Sequence, residues 1–572
     1  MTVASDRKSD IQFRCSDGHE LQGDRLSVAM AREATMHKSV LLHDIADIYR
    51  EIRKSDDGQR CCVAPAPALQ DRIRQELETL KANAPTLISD LIGLKTQKRV
   101  GFNDGLIVPG SELPLGAPPA VARAVAIHRS SALPTSLNVL VVLVEFSDQK
   151  LTATKKHFED LFFSTGVVAT GSVREYFREV SDGKAMISGQ VVGPFLMPRT
   201  MADYAHSVSG TGSASPNART LARDAALAAD PTVNFKKYDN DGDGFVDAFV
   251  VVHAGRGAEE TGRKTDIWSH KWVLENGALM ADGSKVFAYL TVPEDAKLGV
   301  CAHELGHLLF GLPDLYDTDS SSEGVGNWCL MGGGSWLGGG NTPAHPSAWC
   351  KCQQNWVKTV NPAVNSQRSI RDVKQSKEVL RLWNSGKTSK EYFLVEHRRK
   401  SGYDKFLPGE GLLIWHIDDT IDSNTNEVHP KVALLQADGA EDLEHARNRG
   451  DGADPYPGTG GKRQFNAGTV PSSNSYGDLA TNVALADIQE SGGVIKAMVS
   501  VTGARVSGGT SGGTGRRRPP ASGGNRRSQP KTAKRKGSGR KAGKTGASKS
   551  KQKARKVPRK GRRARTKSAR RR

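Results

Sequence analysis

The spacing of apolar residues changes along the chain, and the changes divide it. Residues 1 to about 130 hold two stretches of helical spacing, Ser39–Ile52 and Pro67–Lys81. In the second, "PALQDRIRQELETLKAN" sets Leu69, Ile73, Leu77 and Leu80 along one helical face. We read residues 1–130 as an accessory or propeptide-like helical region. A Pro-rich passage, Pro109 to Pro134, reads as a linker. Two unbroken apolar runs follow, "LNVLVVLVEFSD" (Leu137–Asp148) and "AFVVVH" (Ala248–His253). Runs without polar alternation fit strands covered on both faces. Between them "SVREYFREV" (Ser172–Val180) has helical spacing, and so does the stretch after Val300. That order predicts an α/β unit over residues 131–360. From about Arg368 the runs shorten to "EVLRLW", "EYFLVEHR", "GLLIWHID" and "VIKAMVSV", separated by polar and Gly-containing turns. They predict a smaller, mostly β unit over residues 361–503. Residues 504–572 show no apolar periodicity; they cannot bury enough surface to offset their ordering entropy and are expected to be disordered.

Composition sharpens the last boundary. From Ala504 to Arg572 there are 27 Lys or Arg and no Asp or Glu, so the +19 of the whole chain becomes −8 over residues 1–503. A mildly acidic body carries a strongly basic tail. Such a tail binds polyanions (nucleic acid, anionic lipid or acidic surface polymer) by counterion release, or serves only as a solvated tail. No run approaches 18 apolar residues, so no transmembrane helix is expected. The first twenty residues lack an apolar core, so no ordinary secretory signal is visible. Seven cysteines, an odd number, show no four-cysteine zinc spacing and no disulfide framework.

Candidate chemistry concentrates in "VCAHELGHLLFGLPDLYD", Val300 to Asp317. His303 and His307 are four apart, which on a helix puts both imidazoles on one face within reach of one ion. Glu304 is rotated about 100° from His303 and can contact water at the ion without binding the metal itself. This is the His-Glu-x-x-His pattern of zinc peptidases. Gly311 and Pro313 are expected to stop the helix. A catalytic zinc needs a third protein ligand, and Asp314 and Asp317 follow the turn.

With these residues in view, the sequence resembles the immune inhibitor A family of secreted zinc metallopeptidases. The likeness spans about Leu137 to Val501, through "VLVEFSD", "GSVREYFREVSDGK", "YDNDGDGFVDAFVVVHAG", "IWSHKW", "HELGHLLFGLPDLYD", "NWCLMGGGSW" and "EYFLVEHRRKSGYDKFLPGEGLLIWHID", in family order. It implies a zincin, metzincin-like catalytic domain with a β-rich C-terminal domain. It also implies zinc on His303 and His307, Glu304 as general base, and Met331 in the methionine turn beneath the metal. One departure matters: the usual His-Glu-x-x-His-x-x-Gly-x-x-Asp spacing is lengthened by Phe310 before Gly311. Asp314 is the expected third ligand and Asp317 the alternative. The expected activity is endopeptidase cleavage of protein or peptide substrates. The resemblance implies a secreted or cell-surface protein; the N-terminal sequence leaves a cytoplasmic location open.

Four carboxylates, Asp239, Asp241, Asp243 and Asp247, alternate in "DNDGDGFVD" around Gly244, a spacing that wraps a hard cation. Val250 stands where an EF-hand needs its acidic twelfth residue, so the segment resembles instead the family's shorter calcium loop. A solvated acidic turn is the plainer alternative. His253 and His270 read as structural histidines. "GRGAEETG" lacks the Lys-Ser/Thr of a phosphate loop, and Gly332–Gly340 reads as a flexible cleft wall. "QRCCVAP" is similar to a propeptide cysteine that caps zinc, but an ordinary buried thiol is the simpler reading of Cys61 and Cys62. A rival function is a polyanion-binding protein whose protease-like body is a scaffold; a body freed from catalysis has no need of Glu304.

Overall fold

A strand apolar on both faces needs cover on both sides, and the computed structural model, which describes residues 60–83, 133–318 and 320–503, supplies it. The main sheet has six strands: β1 (Cys61–Cys62), β2 (Ser136–Glu145), β3 (Met186–Leu196), β4 (Phe249–His253), β5 (His270–Val273) and β6 (Ala288–Pro293). Their order across the sheet is β1-β5-β6-β4-β2-β3. β3, β2, β4 and β6 run parallel, while β5 and β1 are antiparallel to their neighbours. In β2, every residue from Val139 to Val144 is fully buried. Alternate side chains enter different cores because the strand period is two. Val139, Val141 and Leu143 face the layer that holds the helix Leu298–Phe310. Leu140, Val142 and Val144 face the Ala-rich helix Ala218–Ala229. The predicted helix at Ser172–Val180 forms as Val173–Val180, with Ser172 and Glu175 closing a reciprocal capping box at its start.

From residue 358 on, a five-stranded sheet stacks on a three-stranded one. The larger contains Lys358–Val360, Glu378–Leu382, Glu391–Arg398, Gly411–Asp418 and Val432–Leu434; the smaller contains Ser366–Arg371, Ala484–Ser491 and Val494–Ser500. Phe393, Val395, Leu412 and Ile414 meet Ile370, Ile495, Ala497 and Val499 between the sheets. The opposite face, with Leu394, Leu413, Trp415 and Ile417, joins the same core as Leu305 and Met331. The change of sheet near residue 360 is therefore not a break in the core. A buried ion-pair network ties that face to the loops after the helix Leu298–Phe310. Arg398 contacts Asp404 and Glu396, Lys351 sits 3.1 Å from Glu396, and Arg398 also donates to the Trp328 and His345 carbonyls.

The predicted N-terminal helix forms as Pro67–Asn83, with Leu69 and Ile73 buried. Residues 61 and 62 depart from the expected accessory region: they are the edge strand of the main sheet. The expected helix at Ser39–Ile52, most of the Pro-rich linker and the basic tail from Ala504 lie outside the described residues. No helix among the described residues is long and apolar enough to cross a membrane.

Candidate metal centre

The helix Leu298–Phe310 is buried over almost its whole length because it lies between the main sheet and the loops that follow it. Gly299 and Gly306 permit that approach. A Cβ on Gly299 would sit 1.9 Å from the Ser335 carbonyl oxygen, and one on Gly306 would sit 2.9 Å from Met331 Sδ. Met331 is thus pressed directly beneath the His-Glu-x-x-His turn. Gly311, at φ +58°, ends the helix, and the Leu312 amide donates back to the Gly306 carbonyl at 3.1 Å. The added Phe310 is absorbed by one further helical residue, whose ring packs on Phe177 and Trp356. Asp314 then falls eleven positions after His303 and still reaches the histidines.

Their geometry is tight. His303 Nε2 and His307 Nε2 lie 3.0 Å apart, and Asp314 Oδ1 is 3.2 Å from the first and 3.1 Å from the second. Both Nδ1 atoms face backbone carbonyls, Leu330 O at 3.0 Å and Leu312 O at 2.6 Å. A carbonyl only accepts, so each Nδ1 carries a proton, and a ring that is neutral in that tautomer turns its Nε2 lone pair inward. Three lone-pair donors then meet in a near-equilateral triangle. Tetrahedral zinc bonds of about 2.0 Å place ligand atoms about 3.3 Å apart, so the triangle fits three corners of such a site. All three side chains are buried, and Asp314 Oδ2 has no hydrogen-bond partner. Burial disfavours the His307 imidazolium, yet the Cys61 and Asp314 charges facing it hold its pKa well above the usual histidine value. The cluster calls for positive charge, and a divalent ion supplies it without protonating a ligand.

Glu304 is fully buried, and neither carboxylate oxygen has a hydrogen-bond partner. Burial pushes its pKa well above the ordinary carboxylate range. The Asp317 Oδ2 accepts from Ser321 Oγ, Ser322 N and Ser322 Oγ at 2.8–3.0 Å, fastening the loop. Two further groups reach the site. Tyr316, within the quoted motif but not singled out there, stands with its ring 6.5 Å from that of His303. Cys61 Sγ lies within 4.8 Å of the His307 and Asp314 donor atoms. Strand pairing of residues 61 and 62 brings Cys61 to this position. Cys62 is not among the converging donors.

In the acidic loop Asp239, Asp241 and Asp247 converge, with ligand oxygens within 4.8 Å of one another. Turn amides donate to all four carboxylates: Gly244 N to Asp239, Asp243 N to Asp241, Phe245 N to Asp243 and Asn240 N to Asp247. Burial, reinforced by the Asp241 and Asp243 charges, raises Asp247 to about 7. His270 is structural: its ring bonds Trp268 O and Tyr289 OH, and burial lowers it to about 3. His253 likewise faces the Ala254 carbonyl. Part of the Gly332–Gly340 run is packed on the metal-site helix, Gly299 N donating to Gly340 O at 2.7 Å.

Residues 134–361 match the catalytic domain of the immune inhibitor A peptidase family M6. The chain is similar to pre-pro-metalloprotease PrtV of Vibrio cholerae serotype O1, 32% identical over 331 residues, covering 48% of this chain and 35% of PrtV. It is also similar to immune inhibitor A of Bacillus thuringiensis subsp. alesti, 32% identical over 258 residues, covering 36% of this chain and 37% of that protein. The chain thus spans about a third of the length of these relatives. Over residues 134–361 its sequence is similar to the catalytic domain of M6-family metallopeptidases.

Proposed function

We propose that this M6-type chain is a zinc-dependent endopeptidase acting on proteins or peptides, with His303, His307 and Asp314 as metal ligands. The observation that carries the reading is the triangle of inward lone pairs, with Nδ1 of both histidines already committed to carbonyls. When bound, the ion supplies Lewis acidity that activates water and polarises the scissile carbonyl. Glu304 takes the proton of the attacking water and passes it to the leaving amine nitrogen. Its unpartnered oxygens leave it available for that transfer, and its apolar setting makes it a stronger base than an exposed carboxylate. His303 and His307 are held in orientation by the Leu330 and Leu312 carbonyls.

Calcium at Asp239, Asp241 and Asp247 would steady the turn leading into β4, which adjoins β2 in the main sheet. Export follows from the family resemblance. The basic tail adds retention on polyanions, secondary to proteolysis. The test is elemental analysis of the purified chain together with casein hydrolysis before and after chelation. One zinc per chain and chelator-sensitive cleavage restored by zinc are expected. A chain that binds no stoichiometric metal after reconstitution would sink the proposal.

A further inference from the structure

We infer that residues Arg60 to Ala66 are a built-in inhibitor lying where substrate would bind, with Cys61 as the fourth ligand of the metal. The inference rests on the zinc reading of the His303, His307 and Asp314 triangle.

Strand pairing and three captured carbonyls describe a peptide held in a cleft. β1 pairs antiparallel with β5, Cys61 opposite Lys271 and Cys62 opposite His270, so the segment occupies the edge on which an extended peptide would add as a strand. The Val63 amide continues the pairing by donating to the Ser269 carbonyl at 3.3 Å. Three successive carbonyls are then captured by side-chain donors: Cys62 O by the Tyr316 hydroxyl at 2.6 Å, Val63 O by the Trp268 indole at 2.9 Å, and Ala64 O by the Trp336 indole at 3.0 Å. These donors address backbone, not side chains. A cleft built this way holds peptides of varied sequence, which suits a peptidase and would hold this segment equally well.

Cys61 lies in this strand at the point nearest the metal donors. Its side chain is 1% exposed, Sγ is grouped with the His307 and Asp314 donor atoms, and Lys271 Nζ stands 3.8 Å away. Three protein ligands leave one position of a tetrahedral zinc for water; a thiolate in that position closes the site. On binding, the thiol loses its proton to solvent and its sulfur displaces the water that Glu304 would deprotonate. Glu304, buried with both oxygens unpartnered, is the base left idle by that displacement. Behind the segment, Arg449 pairs with Asp71 at 2.6 Å and with Gln70 Oε1 at 3.0 Å, and Arg74 pairs with Glu323. Those contacts fasten the helix Pro67–Asn83, and with it the inhibitory strand.

The test uses the full-length chain loaded with cobalt(II) or zinc. With cobalt, thiolate coordination gives a near-ultraviolet sulfur-to-metal charge-transfer band; the wild type and Cys62→Ser should show it, and Cys61→Ser should not. Casein hydrolysis by the zinc form of Cys61→Ser should exceed wild type by about tenfold or more, the scale of one lost favourable contact of about 1.4 kcal/mol. Arg449→Met, which leaves the thiol and the metal ligands in place, should raise hydrolysis by about two- to fivefold, the scale of one partly exposed ion pair. This variant also covers the case in which Cys61→Ser folds poorly. A wild-type cobalt form without the band, yet with one metal per chain, would overturn the inference while leaving the zinc reading intact. So would unchanged hydrolysis in both variants. Failure to bind metal at all would instead sink the peptidase reading on which it rests.

Discussion

Replacing Glu304 by Gln should leave the metal in place and remove nearly all turnover. Glutamine has the same shape and reaches the same space, but it cannot accept a proton at neutral pH. The magnitude follows from what else could take over. The Nδ1 atoms of His303 and His307 are spent on the Leu330 and Leu312 carbonyls, and their Nε2 atoms face the ion position. Asp314 Oδ1 faces the same point, and the Tyr316 hydroxyl donates to Cys62 O. With these groups committed elsewhere, the variant should lose the whole general-base contribution, about 10²- to 10⁴-fold in kcat, or ~3–5 kcal/mol of barrier. Folding should not suffer, because burial already disfavours the Glu304 carboxylate and neither of its oxygens has a hydrogen-bond partner to lose. The assay is casein hydrolysis by Glu304→Gln in the wild-type and Cys61→Ser backgrounds, with metal content measured on the same samples. Turnover within about threefold of the parent at one metal per chain would refute the base assignment, since no transition-state interaction would then have been lost.

Other consequences are equally direct. His307→Ala should abolish stoichiometric zinc and hydrolysis together, read by elemental analysis; retained metal would show that the triangle is not the binding site. Chelation should lower the melting temperature, and calcium, not zinc, should restore the part due to the acidic loop; Asp247→Asn should remove that calcium-specific part, since Asp247 is a carboxylate that burial raises to about 7. Arg398→Met should cost about 3–5 kcal/mol in urea unfolding, because it removes the guanidinium shared by the buried Asp404 and Glu396 carboxylates and leaves them only Lys374 and Lys351 as cationic partners. Burial works against ionised Asp404, but the Arg398 guanidinium, with His345 and Lys374 behind it, overrides this and holds its pKa well below the usual range. The unfolded chain therefore binds that proton more readily, so the stabilisation is complete above about pH 4 and fades as pH falls toward the folded value; Asp404→Asn should flatten that acid limb. Deleting Ala504–Arg572 should abolish salt-sensitive retention on DNA and leave casein cleavage unchanged.

Much of the centre was readable because its logic is local. Four-residue spacing on a helix brings His303 and His307 together whatever surrounds them, and Gly311 ends the helix by its own left-handed backbone. The unbroken apolar runs became the covered strands at Ser136–Glu145 and Phe249–His253 for an equally local reason, and four short runs after Arg368 became strands within a residue of where they were expected. The choice between Asp314 and Asp317 was not local. It depended on whether Phe310 lengthened the helix or bulged from it, and on Ser321 and Ser322 claiming the Asp317 carboxylate. Even spacing also did not separate Asp243 from the three carboxylates that converge, since turn amides donate to all four.

Cys61 shows where sequence spacing stops being informative. Some 240 residues separate it from His303, no periodicity links them, and a two-residue strand carries no pattern of its own. Its place is set by a partner strand: β5 offers an open edge, and pairing Cys61 with Lys271 turns the sulfur toward the ligand triangle. A one-residue slip in that register would send Cys61 to the opposite face and bring Cys62 toward the metal. What fixes the register is the run of captured carbonyls from Cys62 to Ala64, each held by a donor on a different loop or strand. Adjacent cysteines therefore have unequal fates, and the inequality is the most discriminating feature of the arrangement. If β1 were merely a strand that happens to end near the metal, Cys61→Ser and Cys62→Ser would act alike on the metal's spectrum and on hydrolysis. If the docked strand is the inhibitor, only the first does anything.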